Sequence, residues 1–413
     1  LGVVYSCQRV RGATLGGMFE ATKAQFELPE GVIYLDGNSL GPLPKGAAGR
    51  VARTMTEEWG KRLIRGWNDA GWMAAPERIG DRIAPLVGAP AGSVTMGDTL
   101  SIKMFQALAA ALGLAPEGRR VVLSDEGNFP TDLYMADGLL AALGRGHELK
   151  VVAPEAVEDA IDESVAVLML TEVDYRTGRL HDMARLTAKA HAAGALAVWD
   201  LAHSAGALPI DLEGAGADFA AGCTYKYLNG GPGAPAFIYV APRWADVARP
   251  ILSGWLGHEA PFAFDLDYRP APGVARMRVG TPPIIALASL DAALDVWDGI
   301  SLAEVRRASL ALSERFIAEV EARCPMLTLA SPRDGAERGS QVSFRHPEGY
   351  AIMQALIARG LIGDFRAPDA LRFGFTPLYI DEGDVMAAVA ILEEVMAGRL
   401  WDRPEYRKRA RVT

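Results

Sequence analysis

The sequence predicts an α/β protein: a doubly wound, mostly parallel sheet followed by a smaller α+β C-terminal domain. Three observations carry this reading. Short apolar runs rich in β-branched residues alternate with segments of helical periodicity from about residue 100 to residue 240. Those runs are continuously apolar, the pattern of strands covered on both faces by crossover helices. Several end in a polar residue or a glycine, at the strand ends where such sheets bind their ligands.

Taken in order, Gly97-Asp98-Thr99-Leu100-Ser101 is a loop leading into a helix expected over Ile102–Leu112. Strands are expected at Arg120–Ser124, Leu149–Val152, Val165–Thr171, Leu196–Asp200, Phe219–Thr224 and Ala236–Val240, with helices at Thr131–Leu143, Pro154–Ile161 and Asp182–Ala193 between them. A stretch rich in proline and glycine, Pro261 to Pro283, interrupts this pattern before helical periodicity returns over Ile284–Glu321. Beyond it a strand (Gln341–Arg345), a helix (Tyr350–Arg359), a strand (Leu371–Phe375) and a helix (Asp381–Met396) make the α+β pattern. The expected division is an N-terminal segment 1–46 that packs with the small domain, a large domain 47–283 and a small domain 284–413. Residues 1–17 carry no usable pattern.

Composition narrows the function classes. The 413 residues are 50% hydrophobic and 23% charged, the balance of a globular chain with a large core, which excludes disordered and fibrous classes. A formal net charge of −9 supplies no global positive field, so neither nucleic acid nor an anionic membrane is expected as a partner. The basic tail Arg403–Arg411 reads as a solvated helix end. Cys7, Cys223 and Cys324 are odd in number and far apart, which argues against a disulfide framework and a paired-cysteine metal site and points to a reducing cytoplasm. No apolar run reaches the roughly 18 residues of a membrane span, and Leu1–Gly17 lacks a signal peptide's apolar centre.

The chemistry concentrates at two strand ends, Asp200-Leu201-Ala202-His203 and Thr224-Tyr225-Lys226-Tyr227-Leu228-Asn229-Gly230-Gly231. In isolation Asp200 reads equally as a turn or cap residue, and Lys226 as a surface lysine. Together they suit one cofactor. A lysine among apolar and aromatic neighbours becomes a usable nucleophile for a Schiff base. A buried carboxylate one strand earlier can pair with a pyridinium nitrogen, so the two meet the needs of pyridoxal 5′-phosphate. His203 would orient that carboxylate or lie near the ring; its alternative is a satisfied buried histidine. The Gly97–Ser101 turn offers N–H groups and hydroxyls to a phosphate, though any capped helix looks similar. Phe129 and Asp132 follow another strand, placed to stack on a flat ring and reach its polar edge, or simply to cap the next helix. No phosphate loop of the ATP type and no dinucleotide fingerprint is present.

Tyr34-Leu35-Asp36-Gly37-Asn38-Ser39-Leu40-Gly41-Pro42, Phe129-Pro130-Thr131-Asp132, Asp200-Leu201-Ala202-His203 and Tyr225-Lys226-Tyr227-Leu228-Asn229 together resemble the kynureninase family. The resemblance extends through Trp255-Leu256-Gly257-His258, Gly280-Thr281-Pro282-Pro283 and Leu371-Arg372-Phe373, and covers residues 18–400. It implies a fold type I pyridoxal-phosphate enzyme, transferase-like in fold, acting as a homodimer with the site at the subunit interface. It further implies hydrolytic Cβ–Cγ cleavage of L-kynurenine, with its 3-hydroxy form a further candidate, to anthranilate and L-alanine in tryptophan breakdown. Under it Lys226, Tyr225 and Asp200 are catalytic. Leu100, Ser101, Phe129, Asp132, Thr171 and His203 hold the cofactor, as do Trp255 and Thr281, lent by the second subunit. Arg372 grips the substrate carboxylate, and Asn38, Ser39 and Trp67 border the substrate. Where the family commonly has threonine then asparagine near the phosphate, this chain has Ser101 and Lys103.

Rival readings are a class V aminotransferase, a cysteine desulfurase, which needs a mobile nucleophilic cysteine, and a non-catalytic binder on the same fold. The aromatic flanks of Lys226 and the Trp255 segment favour kynureninase over the aminotransferase, Cys223 on an apolar strand and Cys324 before a proline at a helix end read as structural rather than as a desulfurase nucleophile, and the presence of both Lys226 and Asp200 argues against a mere binder.

Overall fold

The computed structural model describes residues 19–409; Cys7 and the first 18 residues lie outside them. Seven strands form the large sheet: β1 (Val94–Met96), β2 (Val121–Asp125), β3 (Glu148–Val152), β4 (Val165–Thr171), β5 (Leu196–Asp200), β6 (Phe219–Gly222) and β7 (Phe237–Val240). Their spatial order is β1-β7-β6-β5-β4-β2-β3. All neighbours from β6 to β3 run parallel, while β7 is antiparallel to both β6 and β1. The segment joining β6 to β7 contains no helix, so the chain lacks the crossover that a parallel return requires. That helix-free segment carries Lys226.

Alternation along the central strands feeds two cores. Val167 and Met169 of β4 face one, with Met104, Ala107 and Leu108 of helix α1 (Leu100–Leu114) and Leu139 of α2 (Pro130–Leu143). Leu168 and Leu170 face the other, with Leu186 and Ala190 of α3 (Met183–Ala193). Each such aliphatic side chain contributes about 1.5–3 kcal/mol when fully buried. Trp199 of β5 is fully buried and donates its indole N–H to Thr187 Oγ1 at 3.0 Å, tying the strand to α3.

The C-terminal region holds α4 (Ile284–Ala293), α5 (Leu302–Arg323), α6 (Gly349–Ile357) and α7 (Glu382–Ala397). Of these, α5 and α6 pack on an antiparallel sheet of β8 (Thr328–Leu329), β9 (Gln341–Arg345), β10 (Asp364–Arg366) and β11 (Ala370–Gly374), in the order β8-β9-β11-β10; α7 packs on α5 and α6, whereas α4 packs against the helix Lys45–Arg53. Phe316 of α5 meets Phe344, Phe373 and Phe375 at centroid distances of 5.0–6.1 Å. Ile33–Tyr34 pairs in parallel with Leu361–Ile362, and Phe26 sets its ring edge-on to Tyr379 at 5.2 Å.

Several expected elements differ. The three-residue β1 falls below the length at which periodicity registers, and β10 hides in a stretch that reads as a turn through Pro368 and Asp369. The expected strand Phe219–Thr224 ends at Gly222, where a Cβ would lie 2.5 Å from the Phe237 ring. The Pro154–Ile161 helix splits into a 3₁₀ turn and one α-turn, and the 284–321 pattern breaks at a 3₁₀ turn, Leu294–Trp297, before Ser301 caps α5. The β3 strand lies at the sheet edge and is half exposed rather than buried on both faces.

Candidate active site

The C-terminal ends of β2, β4 and β5 and the turn after β6 converge. Asp200, the last residue of β5, is buried, and its Oδ1 accepts the Ala202 N–H at 2.8 Å. Asp132, in the first turn of α2, is buried against it with Oδ2 otherwise unpartnered. Phe129 and Pro130 begin α2 with no side-chain cap, so Asp132 is turned inward rather than used as a capping group. Burial, reinforced by the neighbouring Asp200 charge, holds the Asp132 carboxyl well above the usual range. Asp200 is itself raised by burial and pulled back by Lys226, the Ala202 N–H, Thr171 and Asp132. Thr171 stands opposite Asp200 across the β4–β5 ladder.

Lys226 Nζ donates to His203 Nε2 at 2.9 Å and lies 5.9 Å from the centroid of the Tyr225 ring. His203 does not orient the Asp200 carboxylate as the sequence suggested; one turn past the strand its ring swings toward Lys226 and Gln341, with Nδ1 at 3.0 Å from Gln341 Oε1. Burial and then the Lys226 charge keep the His203 pKa well below its ordinary value. The Tyr225 hydroxyl is pushed upward by Cys223 and by burial, so it is a proton-bearing group at neutral pH.

Helix α1 begins at Leu100 with Thr99 as N-cap and no side-chain cap bond, which leaves its first N–H groups open. The preceding loop is held next to the lysine turn: Asp98 O accepts the Ala236 N–H at 3.0 Å, and Pro235 O accepts the Thr224 hydroxyl at 2.7 Å. Lys103 is fully buried, within 2.9 Å of Gln106 Oε1, 3.1 Å of Met277 O and 3.3 Å of Asp98 Oδ2, and lines the same narrow cleft as Gly97 and Asp98.

On the small-domain side, Arg372 of β11 is fully buried. Its Nε donates to Asp364 Oδ2 at 3.0 Å, its Nη2 reaches the Ser39 hydroxyl at 3.0 Å and also Asp364, and its Nη1 donates to the Tyr175 carbonyl. Asn38 is completely buried with both amide atoms unpartnered, and Gly374 lies so close that a Cβ there would come within 2.5 Å of Asn38 Oδ1. Burial and the Asp364 charge push Asp36 up to about 7. The N-terminal segment spans both halves of the site, because Gly41 N–H donates to Tyr225 O at 2.8 Å. Phe129, 42% exposed, sets its ring edge-on to Tyr175 at 5.1 Å.

The structure therefore brings together Lys226, Tyr225, Asp200, His203, Thr171, Asp132 and Phe129, with Leu100 and Ser101 on the adjoining helix start and Arg372, Ser39 and Asn38 across from them. Three expected residues stand outside this network. Trp67 packs edge-on to Trp72 at 5.6 Å; Trp255 is exposed and contacts Phe262; Thr281 is exposed beside a narrow cleft with Gly97, Asp98 and Arg278. Sequence reasoning missed Gln341, Asp364 and Glu172. A glutamine opening a strand and an aspartate before a turn give no local signal, and Glu172 follows a strand end like any loop acid. A cavity of about 580 Å³ between Phe19, Leu312 and Ile380 contains none of the site residues.

The donor set fits pyridoxal 5′-phosphate: a buried carboxylate for a ring nitrogen, an unpartnered buried Asp132 oxygen beside it, a lysine amine and an uncapped helix start. The backbone agrees. A cysteine desulfurase from Thermococcus onnurineus superposes with a TM-score of 0.78 at 20% identity, covering 92% of this chain and 98% of that one. An Escherichia coli cysteine desulfurase gives 0.75 at 20% identity over 91% and 98%. A cystine C–S lyase variant with glycine covalently linked to its pyridoxal-phosphate cofactor gives 0.76 at 19% identity over 90% and 99%. Fold and site define a fold type I pyridoxal-phosphate enzyme.

Sequence relatives narrow the class. A family model described as the kynureninase C-terminal domain matches residues 305–392. Kynureninases of Pseudomonas fluorescens and of Burkholderia pseudomallei strain 1106a are each 53% identical over 398 residues, 95% of this chain and 95% of the relative. The chain belongs to the kynureninase family.

Proposed function

We infer that the protein hydrolyses L-kynurenine to anthranilate and L-alanine with pyridoxal 5′-phosphate as cofactor. The observation that carries this reading is the buried Asp200 with Lys226 in its field, on a chain 53% identical to kynureninases across its length. The cofactor supplies an electrophilic carbon for the substrate amine and a conjugated ring that accepts electrons from substrate carbanions.

Roles follow from what each group can hold. Lys226 Nζ is the amine that carries the cofactor and, once released and neutral, takes the proton from the substrate Cα. Asp200, held by the Ala202 N–H, would accept a hydrogen bond from the cofactor's ring nitrogen and so favour its protonated form. Phe129 would cover the cofactor ring, and the Leu100 N–H and Ser101 hydroxyl would hold its phosphate. Tyr225, protonated at neutral pH, delivers a proton to the β-carbon as the acyl fragment leaves with the oxygen of water. Arg372 would receive the substrate carboxylate; with its Nε edge docked on Asp364, an incoming carboxylate would exchange for the neutral Ser39 hydroxyl and Tyr175 carbonyl on the terminal nitrogens.

Exposed Trp255, Phe262, Phe264 and Leu266 support a homodimer in which Trp255 and Thr281 reach the partner's site. The two described cysteines, Cys223 and Cys324, are buried free thiols, which suits a reducing cytoplasm and leaves neither placed as a mobile desulfurase nucleophile. No helix among the described residues is long and apolar enough to cross a membrane. Purified protein with added cofactor should release fluorescent anthranilate from L-kynurenine, and Lys226→Ala should abolish it. Glutamate turnover with a keto acid and no anthranilate would instead identify an aminotransferase.

A further inference from the structure

We propose that Gln341, on the small-domain strand β9, is a positioning residue that fixes His203 as the neutral imidazole protonated on Nδ1, leaving the Nε2 lone pair for Lys226. The inference rests on the function proposed above, but its geometry stands independently. Gln341 is fully buried, and its Nε2 donates to two main-chain carbonyls, Tyr175 O at 2.9 Å and Asp174 O at 3.3 Å. A flipped amide would set its own oxygen against both carbonyl oxygens, so the orientation is decided by the backbone.

That orientation leaves Oε1 facing His203 Nδ1 at 3.0 Å. An amide oxygen only accepts, so Nδ1 carries the proton. The ring's charged form is disfavoured by burial and by the cationic groups around it, Lys226 at 2.9 Å, then Arg372 and Arg366. A neutral ring protonated on Nδ1 has its lone pair on Nε2, and Lys226 Nζ supplies the proton for that bond. The contact is built for: Gly178, at φ +74°, stands where a Cβ would lie 2.8 Å from the Gln341 carbonyl oxygen and 2.9 Å from its Cγ.

The consequence is directional. One N–H of the lysine is fixed on His203, so rotation about the last side-chain bond is restrained and the remaining amine valences are aimed away from the histidine. Because Gln341 also binds the Tyr175 carbonyl that receives Arg372 Nη1, the segment that sets the lysine's partner also seats the arginine expected to hold the substrate carboxylate.

The test is the imidazole nitrogen spectrum of the full chain labelled with ¹⁵N-histidine, with pyridoxal 5′-phosphate bound. Six histidines are present, and the His203 signals are those lost in His203→Gln. The expected wild-type result is a protonated Nδ1 and an unprotonated Nε2, unchanged between about pH 5.5 and pH 9, a range within which an ordinary imidazole titrates. Gln341→Met should release the tautomer toward Nε2–H and lower kcat roughly 10- to 100-fold with little change in KM, the scale of losing a group that orients a functional imidazole. Gln341→Glu should bring the His203 titration into the accessible range. A wild-type Nε2–H tautomer, or a Gln341→Met enzyme with an unaltered His203 spectrum, overturns the proposal. If Gln341→Met does not fold, the wild-type spectrum alone decides. A protein inactive toward L-kynurenine yet showing the Nδ1–H signal would overturn the reaction and leave the positioning role intact.

Discussion

Glu172 follows β4 and lies directly behind Asp200: its N–H donates to Asp200 O at 2.9 Å, and its carbonyl receives the His181 N–H at 2.9 Å. Its side chain is buried with Oε2 unpartnered. Burial raises its pKa from 4.5 to about 7, against the opposing pull of Ser204 and Arg306. Between those values the folded chain holds a proton that the unfolded chain has released, so stability falls as pH rises, and the whole difference has been lost above pH 7. The displacement corresponds to about 3 kcal/mol of folded-state stability. Glu172→Gln retains the shape and removes the ionisation. In urea unfolding at pH 5 and pH 8, followed by tryptophan fluorescence, the variant should gain on wild type by about 2–3 kcal/mol across that interval with an unchanged m-value. Equal stability of the two proteins at both pH values, or a variant that loses ground as pH rises, would refute the reasoning, because Glu172 would then be an ionised partner of Arg306.

Three further outcomes are expected. Gly41→Ala places a Cβ 2.3 Å from Lys226 O and 2.7 Å from Asn229 Nδ2, so it should cost about 1–3 kcal/mol in a thermal melt and slow anthranilate release by displacing the lysine turn. Asp132→Asn keeps a donor to Asp200 and should stay within a few-fold of wild type, whereas Asp132→Leu removes a charge-assisted bond of about 1.5–3 kcal/mol and should reduce kcat roughly 10- to 100-fold at saturating cofactor. Arg372→Lys keeps the charge but loses the planar fork on Asp364, Ser39 and Tyr175, and steady-state kinetics should show kcat/KM down roughly 100-fold, mainly through KM.

The half of the site on the large sheet was legible because strand ends are marked in sequence. β4 and β5 have the expected bounds, and Thr171 and Asp200 close their apolar runs. Lys226 stood out by its aromatic flanks. The other half was legible only through resemblance, since Ser39 and Arg372 lie 333 residues apart and no local pattern joins them. What stayed hidden is the supporting layer. Asp364, Gln341 and Glu172 act through contacts across domains or behind a strand, and local periodicity reports neither. His203 was found with two placements open, beside Asp200 or near the cofactor ring, because residue spacing places the side chain without saying which way its ring turns; in the fold it turns to Lys226 and Gln341.

The short parallel pairing of Ile33–Tyr34 with Leu361–Ile362 also sets an order of events during synthesis. All seven large-sheet strands lie between residues 94 and 240, so the Lys226 half is complete in sequence long before the ribosome reaches residue 361. Until then the segment around Ser39 has neither its strand partner nor Arg372 to bind. The strands of the Lys226 half are thus complete first, and the segment around Ser39, made before any of them, stays unpaired until residues 361–372 have followed.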